Sequence, residues 1–152
     1  MKKIILLSSC ALLLAGCDFS FGEKSTTQPT NSVSNIETKH NYNEVSDKTI
    51  KWNQIFSMPE DFYYVYFYSL TCSHCNELKD EIIPCALETT KTIYFCEEST
   101  EFNYKQDTST SIGATSCDQF VIAGFPSLAI LQNHQVVVND LGVTSIKKTL
   151  NL

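Results

Sequence analysis

Residues 62–75, FYYVYFYSLTCSHC, constrain the fold more than any other stretch of the chain. Residues 62–68 are all aromatic or β-branched, with no Gly or Pro among them. That is the composition of a strand buried on both faces, as in a parallel sheet. A short polar turn, Ser69-Leu70-Thr71, follows, and then Cys72-Ser73-His74-Cys75. Residues 76–83 continue in a helical pattern. Two cysteines spaced Cys-x-x-Cys are therefore expected at the first turn of a helix that leaves the carboxyl end of a central strand.

That position has chemical consequences. Unpaired backbone N–H groups at a helix start favour negative charge, so a thiolate is stabilised there. The thiolate is the nucleophilic form of cysteine, and a lowered thiol pKa makes it available near neutral pH. The spacing of three puts the second sulfur on the same helical face, within reach of a mixed disulfide formed by the first. Cys72, nearest the exposed end, is the expected attacking thiol, and Cys75, one turn in, the expected resolving thiol. A protonated His74 beside the pair would favour the thiolate further. A structural zinc site competes for the same two residues. It needs a second pair of ligands, and Cys85, Cys96 and Cys117 are scattered singly.

A second motif lies downstream, at Ile122-Ala123-Gly124-Phe125-Pro126-Ser127-Leu128. Together the two motifs resemble the thioredoxin superfamily, and His74 before the second Cys resembles its oxidant and isomerase branches more than thioredoxin itself. The resemblance covers about residues 49–152. It implies an α/β fold: a thioredoxin-like three-layer sandwich with a central mixed β-sheet flanked by helices. It also implies a redox-active disulfide between Cys72 and Cys75, and a cis Pro126 that begins a strand and faces the pair. The Phe125 backbone would then dock a substrate segment strand to strand. Two positions depart from the family pattern. Tyr66 stands six residues before Cys72, where thioredoxins carry a buried Asp that moves protons, and Thr71 stands where they carry Trp.

The amino terminus explains part of the cysteine count of seven. Residues 1–3 are a positive n-region, and residues 4–14 an apolar h-region too short to span a membrane. The segment ends in Leu14-Ala15-Gly16-Cys17, which resembles a bacterial lipoprotein signal with Cys17 as the lipidated residue. Residues 1–16 are thus expected to be a signal peptide that takes Cys10 with it. Residues 17–47 are expected to be the lipidated Cys and a flexible tether, spanning roughly 30 Å if coiled. Residues 48–152 are left for the domain, with a first helix over residues 49–56 and His134 as a solvated turn residue. Lipid anchoring at the extracytoplasmic face of the cell membrane follows, in a compartment where disulfides persist.

A net charge of −6 with no basic cluster argues against nucleic-acid binding. Three functions fit. The first is a membrane-anchored thiol–disulfide oxidoreductase that acts on cysteine-containing secreted or envelope proteins. It needs no cofactor beyond its dithiol, and a membrane redox partner fits it. The second is an accessory lipoprotein that binds a peptide during export, similar to bacteriocin-transport accessory proteins, without turnover. The third is a metal-binding lipoprotein using the dithiol. Cys85, Cys96 and Cys117 remain as buried thiols, or with Cys96 and Cys117 paired.

Overall fold

The structure is a computed structural model and describes residues 39–152. The expected signal peptide, Cys17 and most of the expected tether lie outside the described residues. Four strands form one mixed sheet: β1 (Phe62–Tyr68), β2 (Ile93–Glu97), β3 (Ser127–Gln132) and β4 (Gln135–Leu141). Their order is β2-β1-β3-β4. β1 runs parallel to β2 and antiparallel to β3, and β3 runs antiparallel to β4. The aromatic run is thus an interior strand with a neighbour on each side. Tyr63, Val65, Tyr66 and Phe67 are fully buried.

Side-chain alternation along β1 divides the core in two. Tyr66 and Tyr68 point to one face, where they meet Leu78, Ile82 and Ile83 of α1 (Ser73–Glu88) and Ile146 and Leu150 of α2 (Val143–Leu150). Tyr63, Val65 and Phe67 point to the other, where they meet Ile50, Trp52, Phe102 and Phe120. Both faces are covered, so the α/β sandwich has its three layers. The layer on the second face is built from loops and short 3-10 turns, including Trp52–Gln54 and Ser109–Ser111. Its aromatic rings interlock: Trp52 stacks on Phe120 at 5.4 Å between centroids, and Phe67 lies 5.5 Å from Phe120. Helix α1 continues through Pro84 for a further turn.

Three expectations change. The ordered domain starts upstream of residue 48. Residues Tyr42–Lys48 form a 3-10 helix whose Tyr42 and Val45 are buried in the core beside α1. Its start is fixed by a capping box: the Asn41 side chain accepts from Asn43 N at 3.0 Å, and Glu44 Oε1 accepts from Asn41 N at 2.6 Å. Residues 49–56 do not form a full helix. Thr49 makes a parallel bridge with Phe95, and Ile50 N donates to Phe95 O at 2.8 Å. The open edge of β2 competes for these residues, and only Trp52–Gln54 turn. Finally, His134 is not a freely solvated turn residue. It shares the β3–β4 hairpin with Asn133, both at positive φ, as a two-residue loop between right-twisted strands requires. Its half-buried ring rests 6.3 Å from Tyr63, and its Nδ1 is buried without a partner.

Burial of so many hydroxyls and thiols has a pH consequence. Desolvation pushes Tyr63 and Tyr68 up from 10.0 to about 12, and Cys96 up from 9.0 to about 12. Tyr42 and Tyr66 move further in the same direction. In the unfolded chain these groups lose protons first, so the folded state binds more protons above about pH 9. Their contribution to stability is therefore complete below pH 9 and is lost as pH rises toward 12. Urea titrations at a series of pH values are expected to give a midpoint that falls steadily through this alkaline window. A midpoint unchanged to about pH 11 would contradict the burial of these groups.

Candidate functional site

The site begins where β1 ends. The turn after Tyr68 is closed by Cys72 N donating to Ser69 O at 3.2 Å, and tightened by contact between Ser69 Oγ and Thr71 Oγ1 at 3.1 Å. The turn delivers Cys72 to the N-cap of α1 in an extended conformation, φ −80° and ψ 118°. Its sulfur accepts from Cys75 N at 3.2 Å, so the thiol takes the place a Ser or Asp oxygen holds at other helix starts. Negative charge on this sulfur faces the unpaired N–H groups of the first turn.

The two cysteines differ in environment. Cys72 is partly exposed, and Cys75 is fully buried. Burial, then the neighbouring Cys72 sulfur, pushes the Cys75 thiol up to about 12. Both are free thiols in this structure. Beneath Cys75 lies a layer of tyrosines. Tyr42 Oη donates to Cys75 O at 3.2 Å, and the Tyr42 ring stacks on Tyr68 at 3.9 Å. Tyr66 lies parallel to Tyr68 at 6.1 Å.

The second motif meets the first. The Phe125–Pro126 peptide is cis, and β3 begins at the next residue. The Cys72 thiol donates to Phe125 O at 3.6 Å. The Phe125 ring packs 5.9 Å from Phe102 and 6.1 Å from Tyr104. A groove of about 560 Å³ opens beside this junction, lined by His74 and Glu77 of α1 and by Phe125, Pro126 and Leu141. Gly142, at φ 85°, turns the chain from β4 into α2 and contributes to the groove's lining, in a conformation that side chains resist.

His74 lies on the rim. Its Nδ1 is 3.4 Å from Glu77 Oε2, and both side chains are well exposed. The imidazole is thus engaged with Glu77 at the exposed start of α1. The other cysteines lie apart from the groove. Cys85 is buried on α1. Cys96 is a free thiol in the core of the second face and Cys117 a half-buried free thiol packed against that core, where it donates to Trp52 O at 3.0 Å. Among the described residues, no group of three or more His, Cys, Asp or Glu could hold a metal ion.

Tyr42 is the site neighbour that sequence reasoning missed. The signal was present: Asn41-Tyr42-Asn43-Glu44 carries an N-cap residue with Glu three positions on, the pattern of a capping box.

No protein-family model matches the chain, and no curated protein matches it. Solved structures do match. Mitochondrial thioredoxin 3 from Saccharomyces cerevisiae, in its oxidised form, is 14% identical with a TM-score of 0.45, covering 68% of this chain and 92% of that one. Thioredoxin f from spinach chloroplast is 16% identical with a TM-score of 0.45, covering 68% and 88%. Thioredoxin f2 of Chlamydomonas reinhardtii is 14% identical with a TM-score of 0.42, covering 68% and 89%. The mixed sheet in the order β2-β1-β3-β4, the Cys-x-x-Cys pair opening the helix after β1 and Pro126 opening the adjacent antiparallel strand give this chain a thioredoxin-like fold.

Proposed function

We propose that the chain is a thiol–disulfide oxidoreductase with Cys72 as nucleophile and Cys75 as resolving thiol. One observation carries the reading. A partly exposed thiol caps a helix beside a groove, and a second, buried thiol lies one turn behind it. In the reducing direction, Cys72 attacks a substrate disulfide and forms a mixed disulfide, and one substrate thiolate departs. Cys75 then attacks the Cys72 sulfur, and the second substrate thiol leaves. Two electrons pass from the dithiol to the substrate. The oxidising direction is the same sequence reversed, and the reduction potential of the pair selects between them.

The segment Leu14-Ala15-Gly16-Cys17 supports placing this chemistry on a lipid-anchored protein outside the cytoplasmic membrane. Its substrates are then cysteine-containing secreted or envelope proteins, and a membrane redox partner would reset the pair. The groove beside Phe125 supports a second reading, in which an exported peptide is held there without turnover.

Dithiothreitol-driven reduction of a disulfide-bonded protein, catalysed by the full chain, separates the two. Wild type is expected to accelerate the reaction, and Cys72→Ser to return it to the uncatalysed background. Peptide binding that persists in Cys72→Ser, with no turnover by wild type, would favour the binding protein.

A further inference from the structure

We propose that Cys96 and Cys117 are a second dithiol, separate from the Cys72–Cys75 pair, and the site of a disulfide that ties the end of β2 to the loop leading into Pro126. The inference goes beyond the oxidoreductase reading and does not depend on it.

Three cysteines among the described residues lie outside the candidate site, and the sheet sorts them. Cys85 is buried on α1, in the core of the first face, with the Thr89 hydroxyl at 3.9 Å. Cys96 is buried in the core of the second face, and Cys117 packs against that same core from a turn at residues 117–119. Cys85 is therefore across the sheet from the other two. Of the three possible pairings, only Cys96 with Cys117 joins sulfurs on one face.

The contacts around Trp52 bring these two together. Thr49 bridges Phe95 in parallel, so the chain runs beside β2 in step with it, and Ile50 falls level with Cys96. Neighbouring strands lie about 4.8 Å apart, and level residues point to the same face. Ile50 and Cys96 accordingly share one core. Trp52 comes two residues later, and its carbonyl oxygen takes the Cys117 thiol at 3.0 Å. The Cys117 sulfur thus lies by the end of β2, on the face to which the Cys96 side chain points. Burial first, and the neighbouring Cys117 sulfur next, push the Cys96 thiol up to about 12.

The connection that this bond would close has much to gain from it. Residues 98–126 link β2 to β3 with one 3-10 turn, Ser109–Ser111, and the Tyr104–Ile122 bridge as their regular structure. They nevertheless supply Phe102 and Tyr104, whose rings pack on Phe125 beside the candidate site. A link from residue 96 to residue 117 closes the part that carries both rings and removes freedom from the unfolded chain. Asn103 Nδ2 holds the Cys117 carbonyl at 2.9 Å, so the turn stays in place while the thiol exchanges its bond to Trp52 O for one to sulfur.

The bond forms by exchange with a small-molecule disulfide, R–S–S–R. Half-buried Cys117 attacks first. Its S–H bond breaks, its sulfur joins one R–S, and the other R–S leaves with the proton. Cys96 then attacks the Cys117 sulfur, its own S–H bond breaks, and the second R–S leaves with that proton. Two electrons pass to R–S–S–R, which ends as two R–SH. Burial raises both thiols, so the exchange is slow at neutral pH.

The test uses the full chain carrying Cys72→Ser and Cys75→Ser, with wild type read in parallel so that the result does not hang on the folding of the variant. Each is held for hours with oxidised glutathione at about pH 8.5, where thiolates form, then alkylated, digested and read by mass spectrometry. A peptide joined through Cys96 and Cys117 is expected to replace the two singly alkylated peptides, while Cys85 stays alkylated. The linked protein is expected to unfold at a urea midpoint higher by about 1–2 M, and Cys117→Ser to abolish the rise. Failure of wild type to turn over disulfides would defeat the oxidoreductase reading and leave this measurement intact. Cys96 and Cys117 both still alkylated, a glutathione adduct that persists on Cys117, a link from either to another cysteine, or a linked protein with no rise in midpoint would each overturn the proposal.

Discussion

Under the proposed thiol–disulfide chemistry, Cys75→Ser is expected to convert the protein from a turnover catalyst into a trap. The variant keeps the exposed thiol at the N-cap and keeps the backbone N–H that donates to it, because residue 75 contributes that bond through its main chain. Attack by Cys72 on a substrate disulfide therefore proceeds. What is lost is the only sulfur positioned one turn behind Cys72. Cys85, Cys96 and Cys117 lie elsewhere in the fold, on the far part of α1 or at the core of the second face. The mixed disulfide then decays only by attack from an external thiol. On a non-reducing gel of cells expressing the variant, covalent adducts are expected to accumulate, and mass spectrometry of the bands identifies the partners. Cys72→Ser should trap little, since the remaining thiol of the pair, Cys75, is buried and held protonated by that burial. Equal trapping by the two variants would reverse the assigned roles. Trapping by neither would favour the binding-protein reading.

Tyr42→Ala is expected to destabilise the fold by about 3–5 kcal/mol, the cost of removing a buried aromatic side chain. A tether residue would cost nothing, so the measurement separates the two descriptions of this segment. Tyr42 buries its ring against Tyr68, meets Phe95 edge-on at 6.2 Å, and places its hydroxyl on the Cys75 carbonyl. Little of the loss can be recovered by collapse, because β1 and β2 behind the ring are held by their own ladder. Domains of this size are typically stable by about 5–15 kcal/mol, so the effect is a large share of the total. Urea denaturation followed by tryptophan fluorescence reads it through Trp52, which is buried in the opposite core. A variant that unfolds at the wild-type midpoint would show that residues 42–48 contribute no core.

The contrast between Tyr42 and Tyr66 explains what was legible in the sequence. β1 could be read directly, because seven apolar residues in an unbroken run have few other solutions, and Cys72 follows from where that run stops. The position of Pro126 against Cys72 came from the resemblance of its motif, and the sheet register brings the two together. The capping box marks a helix start at residue 42, but the packing of residues 42–48 was hidden because their local composition is polar and only Tyr42 and Val45 are buried. Two side chains give no period to detect, and the decisive contacts are with residues more than 20 positions away. Residues 49–50 were misread as helix for a related reason. The edge of β2 offers hydrogen bonds that no local pattern reveals.

The Thr49–Phe95 bridge bears on how copies of this chain behave when crowded together. An open strand edge is a template on which a second chain can add its own strand. On the β2 side that template is interrupted, since the chain's own residues 49–50 already occupy the edge at Phe95. On the β4 side the ladder is broken by a register shift opposite Ile130 and Leu131, where Val137 is the extra residue. Asp140 places a charge further along the same strand. Both margins of the sheet thus resist extension by a neighbouring copy, so the sheet is closed to self-addition at its two edges.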